Sequence, residues 1–439
     1  MTNYKTVASV IKDDLCTGCG TCAGICPLSA IEMIINESRG VYVPRLDDGK
    51  CNECGDCFAA CPGHTVDFKQ LNSEIFGKQP DDILLGNYLN CYVGHATDYE
   101  IRYNSTSGGL VTALLIFALE EGIIDGALVT GMNPDNPFEP LPFIGRTREE
   151  IISAAGSKYC PVPANTALKE ILNSKEGEKF AVVGLPCHIH GIRKMAQFNK
   201  KLKESIVLHL GIFCGHAPTF LWTKFHLWRK GISKEKIARI DYRGKGWPGG
   251  MAISFRDGNK RFIHFKDTWG WYSTFCYYRR CTLCCDQAAE LADISFADAW
   301  LPEFTEDKVG KSIVICRNQG GELILQSMAS AGKLHFDRIG GEKAIQSQGG
   351  FYSKKRVIAA TFALSRWRHR NIPLYKLNFP APNILAYLMS LQLQFESGAS
   401  SKRSLWGMLE IYISAKMNLA AVVKSVMLFG RRIQNMFNQ

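Results

Sequence analysis

The sequence has no long hydrophobic run. Its longest uncharged apolar stretch, around Leu110 to Leu119, is too short to cross a bilayer. Nor does the first segment, Met1 to Leu15, contain a signal-peptide core, since its apolar run ends after Val7 to Ile11. Both absences predict a cytoplasmic chain with no transmembrane span. No G-x-G-x-x-G follows a strand-like run and no Walker A motif occurs, so neither a Rossmann site nor a P-loop is indicated. Carboxylates are scarce at one end, where residues 354–439 carry thirteen Lys and Arg against only Glu396 and Glu410. No nucleic-acid-binding motif accompanies that charge, which leaves nucleic acid out as a partner. Otherwise the composition is ordinary for a folded protein, 46% hydrophobic and 21% charged over 439 residues. That length suggests about three domains.

Cysteine is the residue in excess, at 17. In a reducing compartment such a number points to metal or redox chemistry rather than disulfides. Two runs stand out: Cys16-Thr-Gly-Cys19-Gly-Thr-Cys22-Ala-Gly-Ile-Cys26-Pro27 and Cys51-Asn-Glu-Cys54-Gly-Asp-Cys57-Phe-Ala-Ala-Cys61-Pro62. Each is C-x2-C-x2-C-x3-C-P, the bacterial ferredoxin pattern, whose fourth cysteine ligates the other cluster. On that rule Cys16, Cys19, Cys22 and Cys61 hold one [4Fe–4S] cluster, and Cys51, Cys54, Cys57 and Cys26 hold the second. Structural zinc would use two C-x2-C pairs rather than quartets ending in Cys-Pro.

The chain divides into a ferredoxin module at 1–72, a linker at 73–90, a domain at 91–351 and a basic, amphipathic helical tail at 352–439. The module should be a small α+β unit, separate from the larger domain. In 91–351 strand-like runs (Gly126–Gly131, Phe180–Gly184, Ile206–Phe213, Met251–Phe255, Ile294–Phe296) alternate with helical patterns (Gly109–Glu121, Thr166–Asn173, Ile189–Gln197, Thr219–Arg229). This alternation predicts an α/β domain with a mixed, partly parallel sheet. Cys187 and Cys214 each follow a strand, at the edge where open sheets bind ligands. With Cys281 and Cys284 they would suffice for a third [4Fe–4S] cluster. Spacing alone leaves open a zinc site, a lone reactive thiol at Cys187, buried cysteines, or Cys285 in place of Cys284. The loop Ser105-Thr-Ser107-Gly108-Gly109 precedes an apolar helix, which suits a dinucleotide's phosphates or simply an N-cap. Lys158 could pair with phosphate or reduced-flavin charge, or be merely solvated. His188, His190 and His216 read as ordinary surface or core histidines.

The ordered series Ser107-Gly-Gly, Gly156-Ser-Lys-Tyr, Gly184-Leu-Pro-Cys187, Gly211-Ile-Phe-Cys214-Gly, Tyr242-Arg-Gly-Lys-Gly-Trp-Pro248, Cys281-Thr-Leu-Cys284, Ala292-Asp-Ile resembles the coenzyme F-420 (deazaflavin) hydrogenase/dehydrogenase β-subunit family over roughly residues 85 to 345. The resemblance implies a flavoprotein domain binding FAD beside a [4Fe–4S] cluster, with the Ser105–Gly109 loop and Lys158 as FAD candidates. It departs at Ala297-Asp298-Ala299-Trp300, where the family has Gly-Asp-Ala-Trp. The expected function is an iron–sulfur flavoprotein oxidoreductase passing electrons through the ferredoxin-type clusters and a third [4Fe–4S] cluster to FAD and then to an unidentified acceptor, with a redox protein or reduced carrier as electron donor or acceptor. The alternative is a non-catalytic electron-transfer subunit feeding a partner enzyme, in polysaccharide biosynthesis for instance. No catalytic acid or base is singled out.

Charge is uneven along the chain: residues 1–70 carry six Lys and Arg against nine Asp and Glu, whereas 354–439 carry a net +11. Trp406, Leu409, Tyr412, Ile413, Leu419, Val423, Val426, Met427 and Phe437 recur near helical spacing in the tail. Such a tail can lie on an anionic membrane as a peripheral contact, or pack back on the protein with its basic face solvated.

Overall fold

The computed structural model describes residues 6–80, 82–418 and 420. Asp81 of the expected linker, and Leu419, Val423, Val426, Met427 and Phe437 of the expected tail, lie outside the described residues.

The N-terminal module is an antiparallel hairpin, β1 (Ile31–Asn36) and β2 (Val41–Leu46), with short helices at Thr21–Ile25 and Asp56–Ala59 after the first and second cysteine loops. The larger domain holds β3 (Asn90–Ala96), β4 (Gly126–Met132), β5 (Pro140–Gly145), β6 (Phe180–Gly184), β7 (Ile206–Ile212), β8 (Ile237–Asp241), β9 (Gly250–Phe255), β10 (Lys260–His264), β11 (Ile294–Asp298), β12 (Ser312–Cys316) and β13 (Leu334–Ile339). Eight of these form one sheet in the order β13-β3-β12-β11-β7-β6-β4-β5, and β10-β9-β8 form a separate three-stranded sheet. The four central strands β11, β7, β6 and β4 are parallel and the flanking pairs antiparallel, so the sheet is mixed and partly parallel as expected. Central parallel strands are covered on both faces, which explains apolar runs such as Phe-Ala-Val-Val in β6. Alternate residues of β6 serve two cores, because side chains along a strand point to opposite faces. Phe180 and Val182 face one core, and Ala181 faces the other with the apolar Leu110–Glu120 helix.

The module is not a separate unit. Val7, Val10, Ile25, Val66 and Phe68 share a core with Leu128, Val182, Ile189 and Leu283. Gly24 marks the closest approach, for a Cβ there would sit 1.9 Å from the Asn165 carbonyl oxygen. Asn165 in turn donates to Thr21 Oγ1 (2.7 Å) and to the His188 carbonyl (2.9 Å), tying the first cysteine loop to the sheet domain. Small residues thus let two surfaces meet that the sequence kept apart. The segment 73–90 is likewise no loose linker: the Phe68–Phe76 helix runs into it, and Leu85 and Asn87 are buried.

After the sheet, the helices Phe351–Trp367 and Ile384–Ser400 pack together, with Thr361 Oγ1 and Ser390 Oγ 2.7 Å apart. A last described helix begins at Trp406. Its Trp406, Leu409 and Ile413 are buried among Phe220, Phe225 and Tyr272, so this part of the tail packs back on the protein.

Candidate functional site

The cysteines gather in three groups. Cys16, Cys19 and Cys22 stand with Cys61, whose negative charge would act on Cys16 and Cys22. Burial, then Cys61, pushes the Cys16 thiol up to about 12, and burial, then Cys19, raises Cys61 to about 11. Cys26 instead lines one small hollow with Cys51, Cys54 and Cys57, the last group lying nearest the surface, where Cys54 is exposed. The two quartets therefore exchange their fourth cysteines in space.

The third group comes from three separate segments. Cys187 opens the Pro186–Ala196 helix just beyond β6, and Cys214 lies just beyond β7. Cys281 and Cys284 belong to the turn after Tyr278. Burial raises the Cys187 thiol well above the ordinary range, followed by Cys19, Cys214, Cys281 and Cys284 as charged neighbours. Cys187 is thus flanked by Cys19 of the first quartet on one side and by its own group on the other. Cys285 is not among the groups acting on it. It is buried beside Lys355, Cys284, Glu290 and Asp286, whereas Cys284 stands among the charged neighbours of Cys187. Among the described residues no group of His, Cys, Asp or Glu is arranged to hold a single metal ion. An all-thiol donor set is one that an iron–sulfur cube uses.

Two buried cations border these groups. Lys194 donates to the carbonyls of Cys61 (2.6 Å) and Thr65 (2.8 Å). Arg280 donates to the Gly63 and Pro62 carbonyls and to Tyr375 Oη. Neither is paired with a carboxylate among the described residues. An unpaired buried cation is costly, and an anionic cube is the counter-charge that such a place suits.

At the carboxyl edge of β4, β6, β7 and β11 lies a cavity of about 670 Å³. Cys214 lines it, as do Ser105, Ser107, Gly109 and Lys158; Cys187 and Gly108 do not. Its aromatic wall has Trp269 stacked 4.6 Å from Tyr159 and 5.1 Å from His216, and Phe265 stacked 5.7 Å from Trp300. Arg243 lies across the Phe265 ring at 4.4 Å and bonds Asp298 (2.7 Å) and Tyr159 Oη (3.0 Å). Four buried polar atoms of lining residues have no partner: Ser105 Oγ, His216 Nε2, one Arg243 amine and Asp298 Oδ1. Flat aromatic walls with unpaired donors and acceptors suit a planar ring with polar edges, which FAD has.

Two of the expected phosphate donors are already engaged. The Ser107 hydroxyl donates to the Lys311 carbonyl (2.6 Å), and the Gly108 N–H donates to Ser312 Oγ (2.9 Å). Of the turn's N–H groups, those of Ser105 and Gly108 are engaged within the protein, and Gly109 adopts the left-handed φ of 74° that starts the helix. Lys158 lines the cavity, yet its amine donates to the carbonyls of Ala154, Ala155 and Gly156 at 2.5 to 3.1 Å. It caps the end of the Arg148–Ser153 helix, and burial lowers it to about 8. His188 and His190 are satisfied core histidines. The Leu185 N–H donates to His188 Nδ1, so the other nitrogen donates to the Val162 carbonyl, while His190 Nε2 bonds Asp286. Arg243, Asp298 and Trp269 were not singled out as site residues, although Tyr242–Pro248 and Ala297–Trp300 were noted as motifs. Ala297, with its additional methyl, stands in the cavity wall.

Family descriptions match three stretches of the chain. "4Fe-4S dicluster domain" matches residues 15–65. For "Coenzyme F420 hydrogenase/dehydrogenase, beta subunit", the N-terminal part matches 91–169 and the C-terminal part matches 177–341. The coenzyme F420 hydrogenase subunit beta of Methanothermobacter thermautotrophicus is 32% identical over 258 residues, which is 57% of this chain and 84% of that protein. This chain belongs to the coenzyme F420 hydrogenase/dehydrogenase β-subunit family. The family member from Methanosarcina barkeri, also a coenzyme F420 hydrogenase subunit beta, is 30% identical over 53% of this chain and 80% of its own length. A coenzyme F420-dependent sulfite reductase of Methanocaldococcus jannaschii is 29% identical over 72% of this chain and 46% of that protein. Among solved structures, a chain of the F420-reducing [NiFe] hydrogenase complex from Methanosarcina barkeri matches with a TM-score of 0.47 at 27% identity, over 58% of this chain and 84% of that one. As a β-subunit family member with a dicluster domain at its N-terminus, this protein is an iron–sulfur electron-transfer protein of an oxidoreductase family. Among the described residues, no helix is long and apolar enough to cross a membrane.

Proposed function

We propose that the protein is an iron–sulfur flavoprotein oxidoreductase of the cytoplasm. In this reading Cys16, Cys19, Cys22 and Cys61 hold one [4Fe–4S] cluster, Cys26, Cys51, Cys54 and Cys57 a second, and Cys187, Cys214, Cys281 and Cys284 a third. FAD occupies the large cavity. Cys214 is the observation that carries it, for this residue belongs to the third quartet and also lines the cavity. Cys187 of the same quartet neighbours Cys19, so the thiol groups form a series from the surface at Cys54 to the cavity wall. When bound, cubes pass single electrons and a flavin stores two.

The chain's own part is to hold, orient and shield. Trp269, Tyr159 and Phe265 supply flat faces for a ring, and Arg243 and Asp298 supply a donor and an acceptor at its edge. Relatives are named for coenzyme F420, which makes a deazaflavin the first acceptor or donor to try. A redox protein and a subunit of a partner enzyme make up the rest of the expected set of partners.

One observation favours the rival reading of an electron-transfer subunit without flavin: the donors of Ser107, Gly108 and Lys158 are spent within the protein. Anaerobic purification separates the two. The flavoprotein reading expects releasable FAD and about twelve irons per chain, falling to about eight in Cys281→Ser. About eight irons in the parent, unchanged by that substitution, would remove the third cluster. Cluster absorbance without FAD would establish the rival.

A further inference from the structure

The Ile384–Ser400 helix is built inside out. A surface helix ordinarily turns its apolar stripe to the core and its polar face to water. Here the inward face is Ala386, Ser390, Glu396 and Ser400, all buried. Ile384, Leu385, Leu388, Met389, Leu391 and Phe395 face outward, with exposures from 40% at Leu391 to 79% at Ile384. Polar bonds hold the helix in this orientation. Ser390 bonds Thr361, the Ser400 hydroxyl accepts the Cys276 N–H at 2.6 Å, and Glu396 accepts from Tyr412 and Lys416 at 2.8 Å each. Rolling the helix over would bury its apolar face and strip all of these bonds.

The surroundings say what covers this face. Arg366 and Arg370 are exposed beside Trp367, itself 75% exposed, at the end of the helix that packs against this one. Lys402 and Arg403 are exposed immediately after Ser400. From residue 354 to 418 the only carboxylates are Glu396 and Glu410. The first is buried against Lys416, and the second is paired with Arg229. The patch therefore offers aliphatic side chains, an exposed tryptophan and cations, with no carboxylate left unpaired. That is the composition of a helix lying in the headgroup region of an anionic bilayer. The helix is too short to span one.

We propose that the Ile384–Ser400 helix seats this protein on an anionic lipid surface, with its outward side chains at the headgroup–acyl boundary and Arg366, Arg370, Lys402 and Arg403 on the lipid phosphates. The proposal stands apart from the redox reading, since none of these residues touches the cysteine groups or the cavity. The test is flotation of the full-length protein with vesicles of phosphatidylcholine alone, or containing about a third phosphatidylglycerol, under anaerobic conditions. The protein floats with the anionic vesicles, more weakly as salt rises, and much less with the neutral ones. Leu388→Glu with Phe395→Glu changes only outward side chains, so iron content and thermal midpoint stay at the parent values while vesicle affinity falls at least about tenfold. Failure of the parent to float with either vesicle overturns the proposal. So does equal flotation of the double variant, which would assign the binding to the basic residues after 420. If the parent ignores vesicles but forms a concentration-dependent dimer that the double variant loses, the face belongs to a second copy instead.

Discussion

Lys194 and Arg280 place two positive charges at the Cys61–Thr65 turn, where carbonyl oxygens hold them and no carboxylate among the described residues offsets them. A cube gains a negative charge on reduction, so a fixed cation beside it favours the reduced form. At an effective dielectric of about 20 and a separation of about 8 Å, one charge is worth roughly 2 kcal/mol. For one electron that is on the order of 80 mV. Lys194→Met should therefore lower the midpoint potential of one ferredoxin-type cluster by tens of millivolts, with iron content unchanged, and Lys194→Arg should restore it. An EPR-monitored redox titration that gives the parent potentials for Lys194→Met would contradict this. Lys158 makes a separate prediction. Burial holds it near 8 in the folded protein, against 10.5 for a free lysine. Between those values the unfolded chain binds more protons, so stability rises with pH, by up to about 3 kcal/mol from this residue. Denaturant unfolding at pH 8 and pH 10 should show that rise in the parent and a flatter response in Lys158→Met. Equal slopes would mean that the buried amine does not titrate in this window.

At the scale of elements, the central strands and the Leu110–Glu120 helix were legible because each is a mostly apolar run, as in Phe-Ala-Val-Val-Gly of β6. Phe180–Gly184 was read with its observed limits, and Ile206–Phe213 to within one residue. β3 was not read, since Asn90-Cys-Tyr-Val-Gly-His-Ala mixes polar and small residues and gains its place only by pairing with β12 and β13 far along the chain. The same blindness hid the seating of the module. Gly24 meets Asn165 across 141 positions, and no local pattern records such a contact. At the site, Ser107 and Lys158 were legible as residues of the cavity but not in their roles. Ser107 is claimed by Lys311 and Ser312, more than two hundred positions away. Gly24→Val tests the seating directly. Its side chain cannot fit beside the Asn165 carbonyl, and overpacking of this kind costs about 1–3 kcal/mol. The thermal midpoint should fall and the 73–90 segment should become open to proteolysis, whereas an unchanged digestion pattern would show that the surfaces can part without loss.

Across the whole molecule, the N-terminal module meets the segment 371–376 that follows the sheet. Thr65 Oγ1 and the Val66 N–H both donate to the Leu374 carbonyl, the Leu374 N–H donates to the His64 carbonyl, and Lys376 pairs with Asp67. Asn371 donates to Asp13 at 2.7 Å. The acidic module and the start of the basic C-terminal region are thus joined by contacts as well as by opposite charge. Arg280, which holds the Cys61–Gly63 turn, also leans on Tyr375 from this returning segment. Ending the chain at residue 353 should therefore shorten the lifetime of the N-terminal clusters in air several-fold, read as bleaching of their visible absorbance. Equal bleaching rates would show that the clasp does not protect them.

The same clasp has a consequence in time. Thr65 and Leu374 are 309 positions apart. At about 5–20 residues per second, the ribosome delivers the second roughly 15 to 60 s after the first. The part of the protein made first is the part fastened last. For most of that interval the module's eight cysteines have been made while Asn371, Leu374 and Lys376 have not, so iron–sulfur assembly there need not wait for the clasp.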